Sequence, residues 1–215
     1  MSHWRKQQRK EEYFQKAKQE GYRARSAYKL LQIQEKFRII RRGDVVVDLG
    51  AAPGSWSQVT AKLVGNGGRV IALDLQAIEP IPGVTTLQGD MTDPAVQAQV
   101  IDMVGGRERR CVHVVLSDAA PSTTGIKLRD HVLSMELGHT ALAVAKNLLV
   151  PGGKLVIKVF EGEDLPALLR EVKLAFHPVK VHTPAATRNE SWESFIVAQG
   201  FKGQTVDGRR ERMSK

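Results

Sequence analysis

Residues Val45-Val46-Val47-Asp48-Leu49-Gly50-Ala51-Ala52-Pro53-Gly54 decide how this chain folds. Three consecutive valines and a leucine form a near-continuous apolar run, the pattern of a strand covered on both faces. The run carries an acid near its end and gives way to a loop of glycine, alanine and proline. Small residues let the backbone approach a ligand closely, and Ser55 just beyond them is a good helix cap. A strand, a small-residue turn and a helix open a doubly wound sheet, whose ligands bind beyond the carboxyl ends of its strands.

The same alternation continues outward from this stretch. Strands are predicted over Val45–Leu49, Arg69–Leu75, Val84–Gln88, Val112–Ser117, Lys154–Phe160, Val179–Thr183 and Ser194–Ala198. Helices are predicted over Trp56–Val64, Asp93–Val104, Asp130–Leu149 and Leu165–Phe176, with Val150-Pro151-Gly152-Gly153 separating a helix from a strand. Upstream, Ala27, Leu30, Leu31, Ile33 and Phe37 recur near a 3.6-residue period, which predicts an amphipathic helix within Arg23–Phe37. The pattern is α/β: a seven-stranded, mostly parallel Rossmann-like sheet with helices on both faces. One domain is expected over residues 23–202, after a basic arm (1–22) and before a flexible polar tail (203–215).

Composition limits the function classes. No apolar run approaches the roughly 20 residues needed to span a bilayer, and no apolar signal segment follows the charged start. The single cysteine, Cys111, forms no internal disulfide and reads as a small buried hydrophobe in a reducing cytoplasm. A monomer is the expectation. The net charge of +9 lies wholly in residues 1–42, which hold thirteen Lys/Arg against four Asp/Glu. That excess predicts a polyanionic partner, because each phosphate contact releases counterions. Trp4, Tyr13, Phe14, Tyr22 and Tyr28, interleaved with the charges, favour RNA, whose unpaired bases stack on rings. Charge alone leaves DNA and an acidic membrane open.

A dinucleotide site would want Gly-x-Gly-x-x-Gly beside a pyrophosphate, and that spacing is missing from Gly50-Ala51-Ala52-Pro53-Gly54. Asp48 suits a cofactor that carries positive charge instead. S-adenosylmethionine, with its sulfonium and ammonium, is such a cofactor. Three more acids fall at successive strand ends. Asp74 can accept both ribose hydroxyls, Asp90 and the amide of Met91 can read an adenine edge, and Asp118 ends the fourth strand. One strand-end Asp is usually a cap or turn residue; four beside a small-residue loop point to a site.

The segments Arg25-Ser26-Ala27-Tyr28-Lys29-Leu30, Val47-Asp48-Leu49-Gly50-Ala51-Ala52-Pro53-Gly54-Ser55-Trp56-Ser57-Gln58 and Gln88-Gly89-Asp90 carry a wider resemblance. So do Ser117-Asp118-Ala119-Ala120-Pro121, Gly152-Gly153-Lys154-Leu155-Val156-Ile157-Lys158-Val159-Phe160 and Glu193-Ser194-Phe195-Ile196-Val197-Ala198. Over Arg23 to Lys202 the chain resembles the FtsJ/RrmJ (RlmE) family of ribosomal RNA 2′-O-methyltransferases. The resemblance implies a Lys-Asp-Lys-Glu catalytic set at Lys29, Asp118, Lys158 and Glu193. It also implies cofactor contacts at Gly54, Trp56, Asp74, Asp90 and Asp118, to which the loop reading adds Gly50, Ala51, Pro53 and Met91. The implied substrate is a uridine ribose in the peptidyl-transferase A loop of large-subunit ribosomal RNA. Two departures are Ser55, where the family has glycine, and Ser194-Phe195, where it has Val-Tyr. Glu190 is the alternative to Glu193.

Methyl transfer to a hydroxyl is an in-line displacement, so the enzyme must align three atoms and remove a proton. Lys158 interrupts an apolar strand, where an uncompensated ammonium is costly. It can accept the proton as a neutral amine, or orient the oxygen as a cation; the sequence does not choose. Asp118 is expected to hold Lys158, Glu193 to orient a lysine or a ribose hydroxyl, and Lys29 to steer the target ribose. No metal-ligand spacing involves the six histidines, and no metal is expected. Transfer RNA or an RNA cap is the competing substrate, and a non-catalytic ribosome-assembly protein is the competing class. Asp118-Ala119-Ala120-Pro121 disfavours amino methylation, which uses Asn/Asp-Pro-Pro-aromatic.

Overall fold

A computed structural model of the protein describes residues 12–105, 111–121, 124–187 and 192–203. Residues 204–215 of the polar tail, Trp4 and Glu190 lie outside them. Among the described residues seven strands form one sheet: β1 (Val45–Leu49), β2 (Arg69–Asp74), β3 (Val84–Gln88), β4 (Val112–Ser117), β5 (Leu149–Phe160), β6 (Val179–His182) and β7 (Glu193–Ala198). Their order is β3-β2-β1-β4-β5-β7-β6. The first five run parallel, and β7 is antiparallel to both β5 and β6. Helices are α1 (residues 12–19), α2 (Ala27–Phe37), α3 (Ser55–Val64), α4 (Pro94–Met103), α5 (Lys127–Leu148) and α6 (Leu165–Ala175).

Alternation along the strands builds two cores. Val46, Val70, Val114, Leu116, Val156 and Phe195 pack with Leu30 and Ile33 of α2 and with Trp56 and Val59 of α3. Val47, Leu49, Ile71, Val115 and Ile157 pack against α4, α5 and α6 through Val100, Leu142 and Leu168. β1 and β4 therefore lie covered on both faces, which is why their side chains read as unbroken apolar runs. Each fully buried aliphatic side chain contributes roughly 1.5–3 kcal/mol.

Three expectations change. Val150-Pro151-Gly152-Gly153 is part of β5: Leu149 pairs with Val112 and Lys154 with Val114, so the intervening residues bulge out of the ladder. Gly152 there has φ +83°, and the bulge is tied down by Gly152 N–H to Phe201 O (2.8 Å) and Phe201 N–H to Gly153 O (2.9 Å). Gly54, not Ser55, caps α3, while the Ser55 hydroxyl bonds that of Ser26 at 2.7 Å. Cys111 is half-buried and donates to the carbonyl of Val104.

The N-terminal rings also differ from expectation. Tyr13 and Tyr22 pack on Tyr28, with centroids 5.3 and 6.0 Å away, and Tyr28 is itself buried. They knit α1 to α2 instead of offering faces to bases, and Phe14 remains exposed.

Candidate active site

Beyond the carboxyl ends of β1, β2, β3 and β4 lies a cleft of about 520 Å³, within the range of small-molecule sites. Gly50, Ala52 and Pro53 form one wall. Gly50 is required there: its φ is +68°, and a Cβ would fall 2.5 Å from that of Ala119. That close approach joins the loop after β1 to the loop after β4.

Asp74, at the end of β2, accepts from Ala52 N–H through Oδ2 and from Gln76 N–H through Oδ1, both at 2.8 Å. Asp90 takes the Thr92 amide (2.8 Å) and hydroxyl (2.7 Å) on Oδ1, and these bonds hold its carboxyl below the usual range. Met91 and Asp118 also line the cleft, with Lys158 as its cation. With Asp118 paired to Lys158, Asp74 and Asp90 leave the cleft net negative, which fits a ligand bearing sulfonium and ammonium charge, and the backbone-held Asp74 has lone pairs left for ribose hydroxyls.

Asp48 does not supply charge to this cleft. It is fully buried below the loop, where Ser57 donates to its Oδ2 at 2.6 Å. Burial raises its carboxyl to about 7, against the opposing effect of the Ser57 bond and with help from Asp118 and Asp74. Ala51, Gly54 and Trp56 are likewise outside the cleft lining. The Trp56 ring is buried beside Phe195, and its N–H donates to Ser26 O at 2.9 Å.

Lys158 projects from β5 with 9% exposure, so it does not reach out to water. Its Nζ lies 3.1 Å from Asp118 Oδ1 and donates to Asp118 O at 2.5 Å. Lys29, buried on α2, forms an ion pair with Glu193, the first residue of β7. The Lys29 Nζ also stands 5.8 Å from the ring centroid of Phe195, the residue paired with Lys158 across β5 and β7. The four sequence-predicted residues thus gather around Phe195. Lys158 and Asp118 line the cleft; Lys29 and Glu193 lie beyond it.

A family model of FtsJ-like methyltransferases matches residues 22–201. The chain belongs to the FtsJ-like methyltransferase family. S-adenosylmethionine is its methyl donor. This FtsJ-like chain is 50% identical over 190 residues to ribosomal RNA large subunit methyltransferase E of Methanothrix thermoacetophila, covering 88% of this chain and 72% of that protein. It is 43% identical over 202 residues to the protein of that name from Pseudomonas fluorescens, covering 94% and 95%. A structure described as a ribosomal RNA methyltransferase from Plasmodium falciparum matches with TM-score 0.76 and 27% identity, over 85% of this chain and 100% of that one. Aeropyrum pernix fibrillarin, solved with natively bound S-adenosylmethionine, shares the fold at TM-score 0.57 and 16% identity, over 82% and 75%.

Some features escaped sequence reading. Ser194, one of the departures, donates to Glu161 Oε1 at 2.7 Å and bonds the Thr183 hydroxyl at 2.9 Å. Trp192 packs its ring on Phe160 at 4.8 Å, beside Glu193. His131, buried on α5, lies 3.1 Å from Phe160 O through Nδ1 and accepts from Asp164 N–H through Nε2 at 3.2 Å, bracing the loop after β5. The last signal was legible only as a lone histidine on a helix. Among the described residues, no cluster of metal-binding side chains and no helix able to cross a membrane occurs.

Proposed function

We propose that this chain methylates the 2′-hydroxyl of a uridine ribose in large-subunit ribosomal RNA, at the peptidyl-transferase A loop, in the cytoplasm. The names of its relatives support ribosomal RNA. The observation that carries the chemistry is the pair Lys158–Asp118 at the edge of the cofactor cleft, with Lys29–Glu193 on its far side.

Bound S-adenosylmethionine supplies an electrophilic methyl group. Asp74, Asp90 and Met91, with Gly50 and Pro53 of the loop, would hold it, while Ala51, Gly54 and Trp56 shape that loop from outside the cleft lining. Lys158, as an ammonium, has three N–H donors, of which one goes to Asp118 O, while Asp118 Oδ1 at 3.1 Å serves as its counter-ion. A remaining N–H would meet and orient the 2′-oxygen; as its bond to the methyl forms, the methyl–sulfur bond breaks to leave neutral S-adenosylhomocysteine, and the hydroxyl proton passes to solvent water. Asp118 fixes Lys158, while Lys29 and Glu193 hold the ribose. The basic N-terminal region grips the phosphates.

The test is mapping of 2′-O-methylation after incubating the purified chain with large ribosomal subunits, free ribosomal RNA and transfer RNA. A new methyl group on an A-loop uridine is expected. Methylation confined to transfer RNA would overturn the substrate, and a methylated base would overturn the chemistry.

A further inference from the structure

Arg23 lies just before α2 and outside the cofactor cleft. Its guanidinium is spent on backbone carbonyls. Nη1 donates to Pro53 O at 2.9 Å and to Glu79 O at 2.8 Å, and Nη2 donates to Pro80 O at 2.9 Å. Pro53 belongs to the loop after β1, which forms one wall of the cleft. Glu79 and Pro80 follow Asp74, Leu75 and Gln76, which form another. Arg23 therefore spans two walls from behind.

Room for it exists because residue 54 is glycine. A Cβ there would lie 3.0 Å from Arg23 Nη1 and 2.5 Å from Ile81 Cδ1, at a φ of +105°. The backbone around Arg23 is gripped in turn by α3: Arg23 N–H donates to Gln58 Oε1 (2.9 Å), and Gln58 Nε2 donates to Gly21 O (3.0 Å). Upstream lies α1, with Lys16 and Lys18; downstream lies Lys29. One side chain thus connects the charged N-terminal segment to both loops around the methyl donor.

We propose that Arg23 is a positioning residue that couples the basic N-terminal segment to the cofactor cleft, so that RNA held by that segment and cofactor held in the cleft strengthen each other's binding. The RNA half of this coupling rests on the proposed function; the cofactor half does not. A planar guanidinium presents donors in a fixed fork and reaches all three carbonyls, which a lysine ammonium cannot do. Coupling of this kind is reciprocal: the factor by which RNA tightens cofactor binding equals the factor by which cofactor tightens RNA binding.

The experiment is calorimetric titration of the full chain with S-adenosylhomocysteine, alone and with a saturating A-loop RNA fragment, for wild type, Arg23→Ala and Arg23→Lys. In wild type, RNA should tighten S-adenosylhomocysteine binding by about fivefold or more. Both variants should bind S-adenosylhomocysteine about tenfold more weakly and lose the tightening, a coupling of ordinary size. Hydrogen exchange should quicken at residues 50–54 and 79–82, with β1, β4 and β5 protected as before. KM for S-adenosylmethionine should rise while kcat at saturating cofactor stays within about threefold, the pattern of lost ground-state binding.

If Arg23→Ala does not fold, Arg23→Lys decides. A folded variant that binds S-adenosylhomocysteine within twofold of wild type overturns the proposal, as does tightening by RNA that survives the substitution. If the A-loop fragment does not bind at all, the substrate reading fails, and the titration without RNA still judges Arg23.

Discussion

On the cofactor side of the site, Asp74 and Asp90 are held by backbone amides and one hydroxyl. On the acceptor side, Asp118 and Glu193 are each held by a lysine. The first arrangement leaves uncancelled negative charge facing the cleft, which suits a cationic ligand that arrives and departs. The second cancels its charge internally, so four ionised groups can be kept in a half-dry place without attracting the cofactor to it. A buried pair tolerates this only with both members present, because a lone buried charge costs several kcal/mol. On the proposed function, binding on one side and chemistry on the other should be separable by mutation.

The largest separation is expected at Lys158. Lys158→Ala should lower kcat by about a thousandfold in a single-turnover methylation assay, the scale of a lost proton-transfer or charge-stabilising group. Its affinity for S-adenosylhomocysteine should stay within a few-fold of wild type. Lost affinity of the same size as lost kcat would erase the distinction between the two sides.

Next comes the pair beyond the cleft. Lys29→Ala and Glu193→Ala should each destabilise the fold by about 3–5 kcal/mol in urea melts, since each strands a buried partner. The double variant should cost clearly less than their sum. Additive losses would mean that the two charges do not depend on each other.

A smaller effect belongs to the cofactor side. Asp74→Ala should weaken S-adenosylhomocysteine binding by about 1.5–3 kcal/mol, the value of charged hydrogen bonds, with melting of the ligand-free protein little changed. A stability loss like that of Glu193→Ala would show that Asp74 is structural.

The smallest lies beneath the loop. Asp48 has its carboxyl raised from 3.8 to about 7 by burial, so the folded protein holds a proton that the unfolded chain gives up. That contribution to stability is complete below about pH 4 and is lost as pH rises through 7. Melting temperature should fall across that window in wild type and fall less in Asp48→Asn. Parallel pH profiles for the two proteins would refute the assignment.

Much of this was legible because it depends on patterns that the physics of strands and turns imposes. β1 and β4 read correctly since both of their faces are covered; Gly50 was read as admitting a ligand, and the neighbour that demands its smallness is Ala119. The β5 bulge was not legible, because Pro151 and Gly152 signal a break in any context, and only the partner strand converts the break into a bulge. Lys29 was marked by the resemblance and not by its own surroundings, because its buried partner Glu193 is 164 residues away in the chain. Asp48 was misread because its place at a strand end does not tell which way its side chain turns. Arg23 was silent because its partners are carbonyls, which every residue possesses.

Strand polarity has a chemical consequence here. Lys158 and Asp118 belong near the ends of parallel strands, but Glu193 begins its strand. It reaches the same edge only because β7 runs the other way, opposite Phe160. Were β7 parallel, its first residue would lie at the far edge, roughly 16–20 Å off at about 3.3 Å per residue. The reversed strand therefore returns a distant carboxylate to the edge that carries Lys158 and Asp118, and on the proposed function chain direction becomes part of how the site is assembled.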